Sequence, residues 1–140
     1  MKDTTVRLKA VIKQGASFKL PLVRRYLPYL AEATPCGGVT NTCTGEPVLP
    51  ADYLDEDYTA CTAVLQVRRE VGDPDLLFSA STLDGSIFFQ DNKLTVSLSA
   101  AMTDLLDFDR AIGHIEVTRP SGEVNRQYEI EFTFSPAVVV

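Results

Sequence analysis

The feature that most constrains the fold is a run of alternating apolar and polar residues on each side of a tight turn. The stretch is HIEVTRPSGEVNRQYEIEFTFS, from His114 to Ser135, with Pro-Ser-Gly at its centre. In the second run, apolar and polar side chains alternate. The apolar face has Tyr128, Ile130, Phe132 and Phe134, and the polar face has Gln127, Glu129, Glu131 and Thr133. Because side chains alternate across a strand, the pattern predicts a β-hairpin with one buried and one exposed face.

Similar alternation recurs at residues 6–12, 18–22, 61–67 and 94–98, with turn sequences such as GDPD and LDGS between strand runs. Pro21 predicts an edge position for its strand, because proline cannot donate to a β-ladder. A single helical turn is predicted in AAMTDLLDFD. Short strands spaced by about 8–12 residues are typical of sandwiches and barrels. We therefore expect an all-β fold, a single antiparallel β-sandwich domain over residues 1–140 with at most one short helix.

Residues 24–57 interrupt this pattern. The segment contains four prolines and three glycines, and no period persists through it. The expectation is a long, partly ordered loop with a short helical turn at residues 29–33. A loop of this length in a compact domain is usually functional or flexible. Its apolar residues either cap the core or contact a partner, and the candidate interface residues are Tyr26, Leu27, Tyr29 and Leu30.

The chain ends in an apolar arm, residues 136–140. Val138, Val139 and Val140 are further candidate interface residues, which either pack on their own sheets or reach a neighbouring subunit. No apolar run approaches the roughly 20 residues of a membrane span, and the N-terminal residues lack the apolar core of a secretory signal. We accordingly expect no membrane association.

The charge argues against nucleic-acid binding. The net charge is −6, the isoelectric point is about 4.7, and the basic residues are dispersed along the sequence. An acidic surface repels phosphate backbones, so the charge is read as serving solubility.

Three cysteines leave the redox state open. Cys36 and Cys43 either stay reduced or close a small loop disulfide, and an unpaired Cys61 fits synthesis in a reducing cytosol. Zinc is disfavoured, because the cysteine spacing is wide and the only histidine, His114, lies far away in the sequence. His114 is read as a partly buried structural residue, on the same strand face as Ile112.

No catalytic motif is present. The chain has no phosphate-binding loop, dinucleotide fingerprint or nucleophile elbow. Two acidic clusters occur, Asp52, Asp55, Glu56 and Asp57, and Asp104, Asp107 and Asp109. Acidic residues between strands are mostly solvated and prevent edge pairing. We therefore predict a non-enzymatic protein with no catalytic residue, metal or cofactor.

An ordered series of motifs from Tyr58 onward carries a resemblance. The matching residues are Tyr58, Val67, Arg68, Leu98, Ser99, Ala100, Thr103, Thr118, Pro120, Gly122, Val124, Arg126, Ser135, Pro136 and Val138. The series resembles a group of small tailed-bacteriophage structural proteins, over roughly the last three-fifths of the chain. The group has an immunoglobulin-like β-sandwich; a jelly-roll-like arrangement is the alternative. The segment 24–57 departs from the group, whose members usually pass quickly between the early strands.

The resemblance implies a virion component of the tail, neck or baseplate that docks neighbouring virion proteins or fibres. It further implies a homo-oligomer in the assembled particle, formed in the bacterial host cytoplasm, without direct contact to nucleic acid. Three alternatives remain: a capsid decoration subunit that stabilises the phage head, a free-standing carbohydrate- or peptide-binding module, and a hydrolase that uses the acidic clusters.

Overall fold

The computed structural model describes residues 5–136, and within this range the chain is all-β, as predicted. One short helix, α1 (Ala100–Asp104), and a 3-10 turn at Pro50–Asp52 accompany the strands. The strands are β1 (Val6–Lys13), β2 (Phe18–Val23), β3 (Arg25–Tyr26), β4 (Ala31–Ala33), β5 (Val39–Asn41), β6 (Leu54–Asp55), β7 (Thr62–Arg68), β8 (Phe78–Ser81), β9 (Ile87–Gln90), β10 (Lys93–Leu98), β11 (Arg110–Thr118) and β12 (Val124–Ser135). The candidate interface residues Val138, Val139 and Val140 lie outside the described residues.

Two main sheets contain most of the strands. A five-stranded sheet has the order β1-β12-β11-β7-β8, and a three-stranded sheet has the order β2-β10-β9. The edge position of β2 confirms the expectation from Pro21. β1 and β2 end their sheets on one side and are joined by a short turn, whereas β8 and β9 end them on the other.

The prediction of purely antiparallel pairing is wrong for one pair. β1 runs parallel to β12 along its whole length, from Val6 opposite Tyr128 to Lys13 opposite Ser135. Only strands joined by a tight turn must be antiparallel. Since β1 and β12 come from the two ends of the described chain, no turn dictates their relative direction.

The buried side chains of both sheets form one hydrophobic core. Leu65, Ile115 and Ile130 contribute from the five-stranded sheet, and Leu94 and Val96 contribute from the three-stranded sheet; each is fully buried. Phe18 of β2 and Phe132 of β12 form an edge-to-face aromatic pair across the two sheets, with 6.1 Å between ring centroids. Burial of such side chains contributes roughly 1.5–3 kcal/mol each, which makes this core the main source of stability.

The β11–β12 hairpin follows the predicted alternation except at a β-bulge. Its turn forms as expected, with the Gly122 N–H donating to the Arg119 carbonyl (2.9 Å) at a positive φ of 91°. The register then shifts, so that Ile115 pairs with Tyr128 and Glu116 pairs with Arg126. Gln127 is the extra residue, and it is 2% exposed. The prediction that Gln127 lies on the exposed face is therefore wrong, because a bulge turns one side chain to the opposite face.

The predicted loop at 24–57 is wrong in part, because the structure contains short strands there. β3 pairs with β6, and β4 pairs with β5. The expected helical turn at residues 29–33 is also wrong, since Ala31–Ala33 is β4. Strands of two or three residues with no buried face need no alternation, so their sequence does not show the period-two pattern.

Gly113 offers a direct test of the core. It faces the core from β11, and a Cβ at this position would lie 2.8 Å from Phe132 Cε2 and 2.9 Å from Leu65 Cδ1. We expect Gly113→Ala to lower the free energy of unfolding by about 1–3 kcal/mol through overpacking, as measured by urea denaturation. In a double-mutant cycle with Phe132→Leu, the double variant should lose less free energy of unfolding than the two single variants lose in sum. Strictly additive losses would contradict this packing.

Candidate functional site

The segment 25–55, which we call the arm, contains every predicted interface residue that the structure describes. Tyr26 is 45% exposed and Leu30 is 75% exposed, while Leu27 and Tyr29 are half-buried. The Tyr29 hydroxyl donates to Asp52 Oδ2 at 3.0 Å, which joins the two sides of the arm. No residue from 25 to 55 is buried. The arm therefore lies outside the core and does not cap it.

Hydrogen bonds within the arm give it its shape. The pair β3–β6 forms a stem, and beyond it β4 and β5 pair, with an isolated bridge between Thr40 and Pro47. The Asn41 side chain accepts from the backbone N–H groups of Cys43 and Thr44 (2.8 and 3.2 Å) and so closes the tip. Among the described residues, β3 to β6 pair only with one another and not with the main sheets.

The arm displays more apolar surface than the sequence analysis identified. Besides Tyr26 and Leu30, four large hydrophobic side chains are at least 40% exposed, namely Val39, Leu49, Tyr53 and Leu54. The last three lie in PVLPADYL, where two prolines bracket apolar residues without alternation. The sequence does contain a signal for this exposure. Apolar residues recur near prolines here, with no strand or helix period that would bury them. A concentration of exposed apolar side chains on one segment favours an interaction surface.

An ion-pair cluster joins the arm to the core. Glu56, which follows β6, is 9% exposed and lies between two guanidinium groups. Arg119 Nη2 forms a close ion pair with Glu56 Oε1, and Arg24 Nε lies 4.0 Å from Glu56 Oε2. Arg119 also donates to the Asp57 carbonyl at 2.9 Å. We call Arg24, Glu56 and Arg119 the root cluster, since it fixes both ends of the arm.

The bulge lies directly beneath the root cluster. Arg24 Nη1 is 3.5 Å from the carbonyl oxygen of Gln127, and the Tyr58 hydroxyl donates to Gln127 Oε1 at 2.8 Å. The Tyr58 ring stacks on Phe89 with 4.6 Å between centroids. Burial is the main cause that raises the pKa of the Tyr58 and Tyr128 phenols. The bulge thus supplies an internal polar anchor that alternation alone does not predict.

The cysteines and the histidine lie apart from one another. Cys36 and Cys43 are exposed free thiols on the arm. Cys61 is half-buried, and burial raises the pKa of its thiol, which disfavours the nucleophilic thiolate. His114 is on the face with Ile112, as predicted; this is the partly exposed outer face of the sheet. Its Nε2 lies 3.0 Å from Glu129 Oε1, and this hydrogen bond is the main cause that lowers the pKa of Glu129.

The acidic cluster at residues 52–57 makes local bonds. Asp52 accepts from the Leu49 N–H (2.9 Å), and Asp55 pairs with Arg25 at 3.0 Å. Asp57 accepts from Thr59, and these bonds lower the pKa of its carboxyl group. Within residues 5–136, no group of three or more His, Cys, Asp or Glu side chains is placed to hold a metal ion. Among the same residues, no helix has the length and apolar character that crossing a membrane requires.

Comparison with known proteins adds no assignment. No protein-family model matches the sequence, and the search of curated proteins found no match.

The root cluster should contribute measurably to stability. In Arg119→Met, the largely buried Glu56 carboxylate keeps only Arg24 as a charged partner. We expect a loss of about 2 kcal/mol in the free energy of unfolding, less than the roughly 3–5 kcal/mol of a fully buried pair. The expected loss in the free energy of unfolding is smaller because Arg24 remains beside Glu56 and because the Arg119 side chain is 25% exposed. Urea denaturation measures the loss.

Arg126→Met is the matched control. Arg126 pairs with Glu116 at 3.4 Å, and both side chains are about half exposed. Solvent screens such a pair, so we expect a loss below about 0.5 kcal/mol. Equal losses for the two arginine variants would mean that the root cluster behaves as an ordinary surface pair.

Proposed function

We propose that this protein is a non-enzymatic structural subunit of a tailed-bacteriophage virion. In this proposal it belongs to the tail, neck or baseplate and docks neighbouring virion proteins through the arm. We further propose that the two main sheets stack face to face as one immunoglobulin-like β-sandwich. The core shared between the two sheets supports the sandwich, and the series of motifs from Tyr58 to Val138 supports the virion assignment.

The observation that carries the docking role is the exposure of the arm. It is ordered by its own hydrogen bonds, holds no buried residue and displays six large apolar side chains. Two-stranded ribbons without a core are marginally stable in water. A neighbour that covers Leu30, Leu49 and Tyr53 would remove this apolar surface from water and so stabilise both the arm and the contact.

The division between core and arm suits an assembly subunit. The core supplies rigidity, and the root cluster sets the direction of the arm relative to the main sheets. Repeated weak contacts around a symmetric particle gain strength through avidity. Each subunit therefore needs only a modest docking surface, and exposed apolar residues on a short arm are sufficient for it.

The test compares the natural chain with an arm-shortened variant in which residues 27–53 are replaced by Asn-Gly. The new two-residue turn would join Tyr26 to Leu54, which already pair opposite each other in the stem. We expect the natural chain in the tail fraction of purified virions, at a copy number that is a multiple of the tail symmetry, measured by quantitative mass spectrometry. The variant should be missing from the particles.

A thermal unfolding scan provides the control. Since no residue of the arm is buried, the shortened variant should unfold at nearly the same temperature as the natural chain. Recovery of the natural chain on heads that lack tails would instead indicate a capsid decoration subunit. Absence from every particle fraction would refute the virion assignment.

A further inference from the structure

The fold gathers cations that are dispersed in the sequence. Residues 5–31 contain six Lys or Arg residues and no Asp or Glu, although the whole chain has a net charge of −6. Four of the six, Arg7, Lys9, Lys13 and Lys19, belong to β1 and β2, the edge strands on the same side of the molecule, and so lie along one border. These cations are dispersed in the sequence, and only the strand pairing brings them to one border.

Three of these cations lack an ion-pair partner within residues 5–136. Lys9, Lys13 and Lys19 are exposed, and none makes a salt bridge with the described residues. We call these three residues, with β1 and β2, the basic edge. Lys9 lies opposite Glu131 on β12 without pairing with it, and Asp104 approaches the β1–β2 turn at Gly15. By strand alternation, Lys9 and Lys13 lie on the outer face of the five-stranded sheet and Lys19 on the outer face of the three-stranded sheet, so the lysines flank the border on both sides.

The basic edge also has unpaired backbone and an apolar groove. β1 pairs with β12 on one side, and its other side has no partner strand among the described residues. A groove of about 440 Å³ opens where the two edge strands meet the root of the arm. Its lining is Val6 and Leu8 from β1, Leu22 and Val23 from β2, and Arg24, Arg25, Tyr26, Glu56 and Tyr128. An incoming segment would therefore find an unpaired backbone edge along β1, this groove at one end of the edge, and Lys9 and Lys13 farther along the same strand.

The arm has the complementary chemistry. Between residues 25 and 55 the charged residues are Arg25, Glu32, Glu46, Asp52 and Asp55, so the arm is acidic. Asp55 is paired with Arg25, and Asp52 bonds Tyr29 and Leu49. Glu32 and Glu46 are exposed and form no ion pair within the described chain. β4, which contains Glu32, is also unpaired on its outer side.

We propose that the arm of one copy of this chain docks on the basic edge of a second copy. Glu32 and Glu46 of the arm face Lys9, Lys13 and Lys19 of the neighbour, and exposed apolar residues of the arm enter the groove beside β1. This inference deepens the proposed function, because it names a partner for the arm. The docking of one copy on another is tested on the purified chain. It can therefore fail while the virion assignment stands, and the virion assignment can fail while this docking is confirmed.

The first experiment reverses the charges. The edge variant carries Lys9→Glu, Lys13→Glu and Lys19→Glu, and the arm variant carries Glu32→Lys and Glu46→Lys. Either variant alone brings like charges together, whereas a mixture restores opposite charges at every contact. We expect the natural chain to self-associate in sedimentation equilibrium, each variant alone to associate at least tenfold more weakly, and the equimolar mixture to recover the natural association.

Matched controls lie near the opposite side of the molecule. Arg69→Glu and Asp75→Lys change exposed charges of the same signs in the segment between β7 and β8. These variants should associate like the natural chain. A monomeric natural chain at every accessible concentration would overturn the proposal. So would variants that keep full association, or a mixture of the two reversed variants that stays dissociated.

The second experiment needs no substitution, so it also holds if a reversed variant misfolds. Cys36 and Cys43 are exposed thiols on the arm, and Lys9, Lys13 and Lys19 are amines on the edge. A thiol–amine cross-linker is applied to a mixture of ¹⁴N- and ¹⁵N-labelled chains, and mixed-label peptides identify links between copies. Links from Cys36 or Cys43 to the three edge lysines support the proposal. Links between copies that reach only Lys93 would overturn it.

Discussion

The ion pair between Arg119 and Glu56 joins two parts of the chain that are held together by different forces. Arg119 belongs to the turn of the β11–β12 hairpin, whose strands contribute the centre of the core. Glu56 is the first buried residue after the arm. The geometry of the arm relative to the core thus depends on a charged contact, supported by Arg24 and by the carbonyl of Asp57. Because this contact is largely shielded from water, salt screens it less than a surface pair.

The stabilities of the two parts should differ accordingly. The core buries large apolar side chains such as Ile115 and Phe132 between two sheets. The arm has only short ribbons, turn hydrogen bonds such as those to Asn41, and the Tyr29–Asp52 contact. Local opening costs the least free energy where few apolar contacts are buried. The arm is therefore the part of the molecule that gains most from a partner, and its surface chemistry suits one.

Sequence patterns predicted the parts of the fold that bury one face. Alternation located β1, β2, β7, β10 and the β11–β12 hairpin, because burial on one side forces a period of two. The strands of the arm were missed, since a strand with no buried face carries no such signature. The inward turn of Gln127 was missed because one inserted bulge residue reverses the alternation locally.

The candidate site was predictable only in part. The apolar character of Tyr26 and Leu30 in a segment without strand alternation was visible in the sequence, and both side chains are exposed on the arm. The root cluster was not predictable, because Arg119 and Glu56 come together only through the fold. The basic edge likewise depends on β1 lying beside β12 and β2 lying beside β10, which are pairings between segments far apart in the chain.

The most direct measurement is amide hydrogen exchange across the chain, recorded for the dilute protomer and for the concentrated assembly. In the protomer we expect amides of residues 25–55 to exchange rapidly and amides of β11 and β12 to exchange slowest. On assembly, exchange in the arm should slow markedly while exchange in the core changes little. Arm amides that are as protected as those of β11 in the dilute protomer would contradict the account, because the arm would then be stable without a partner.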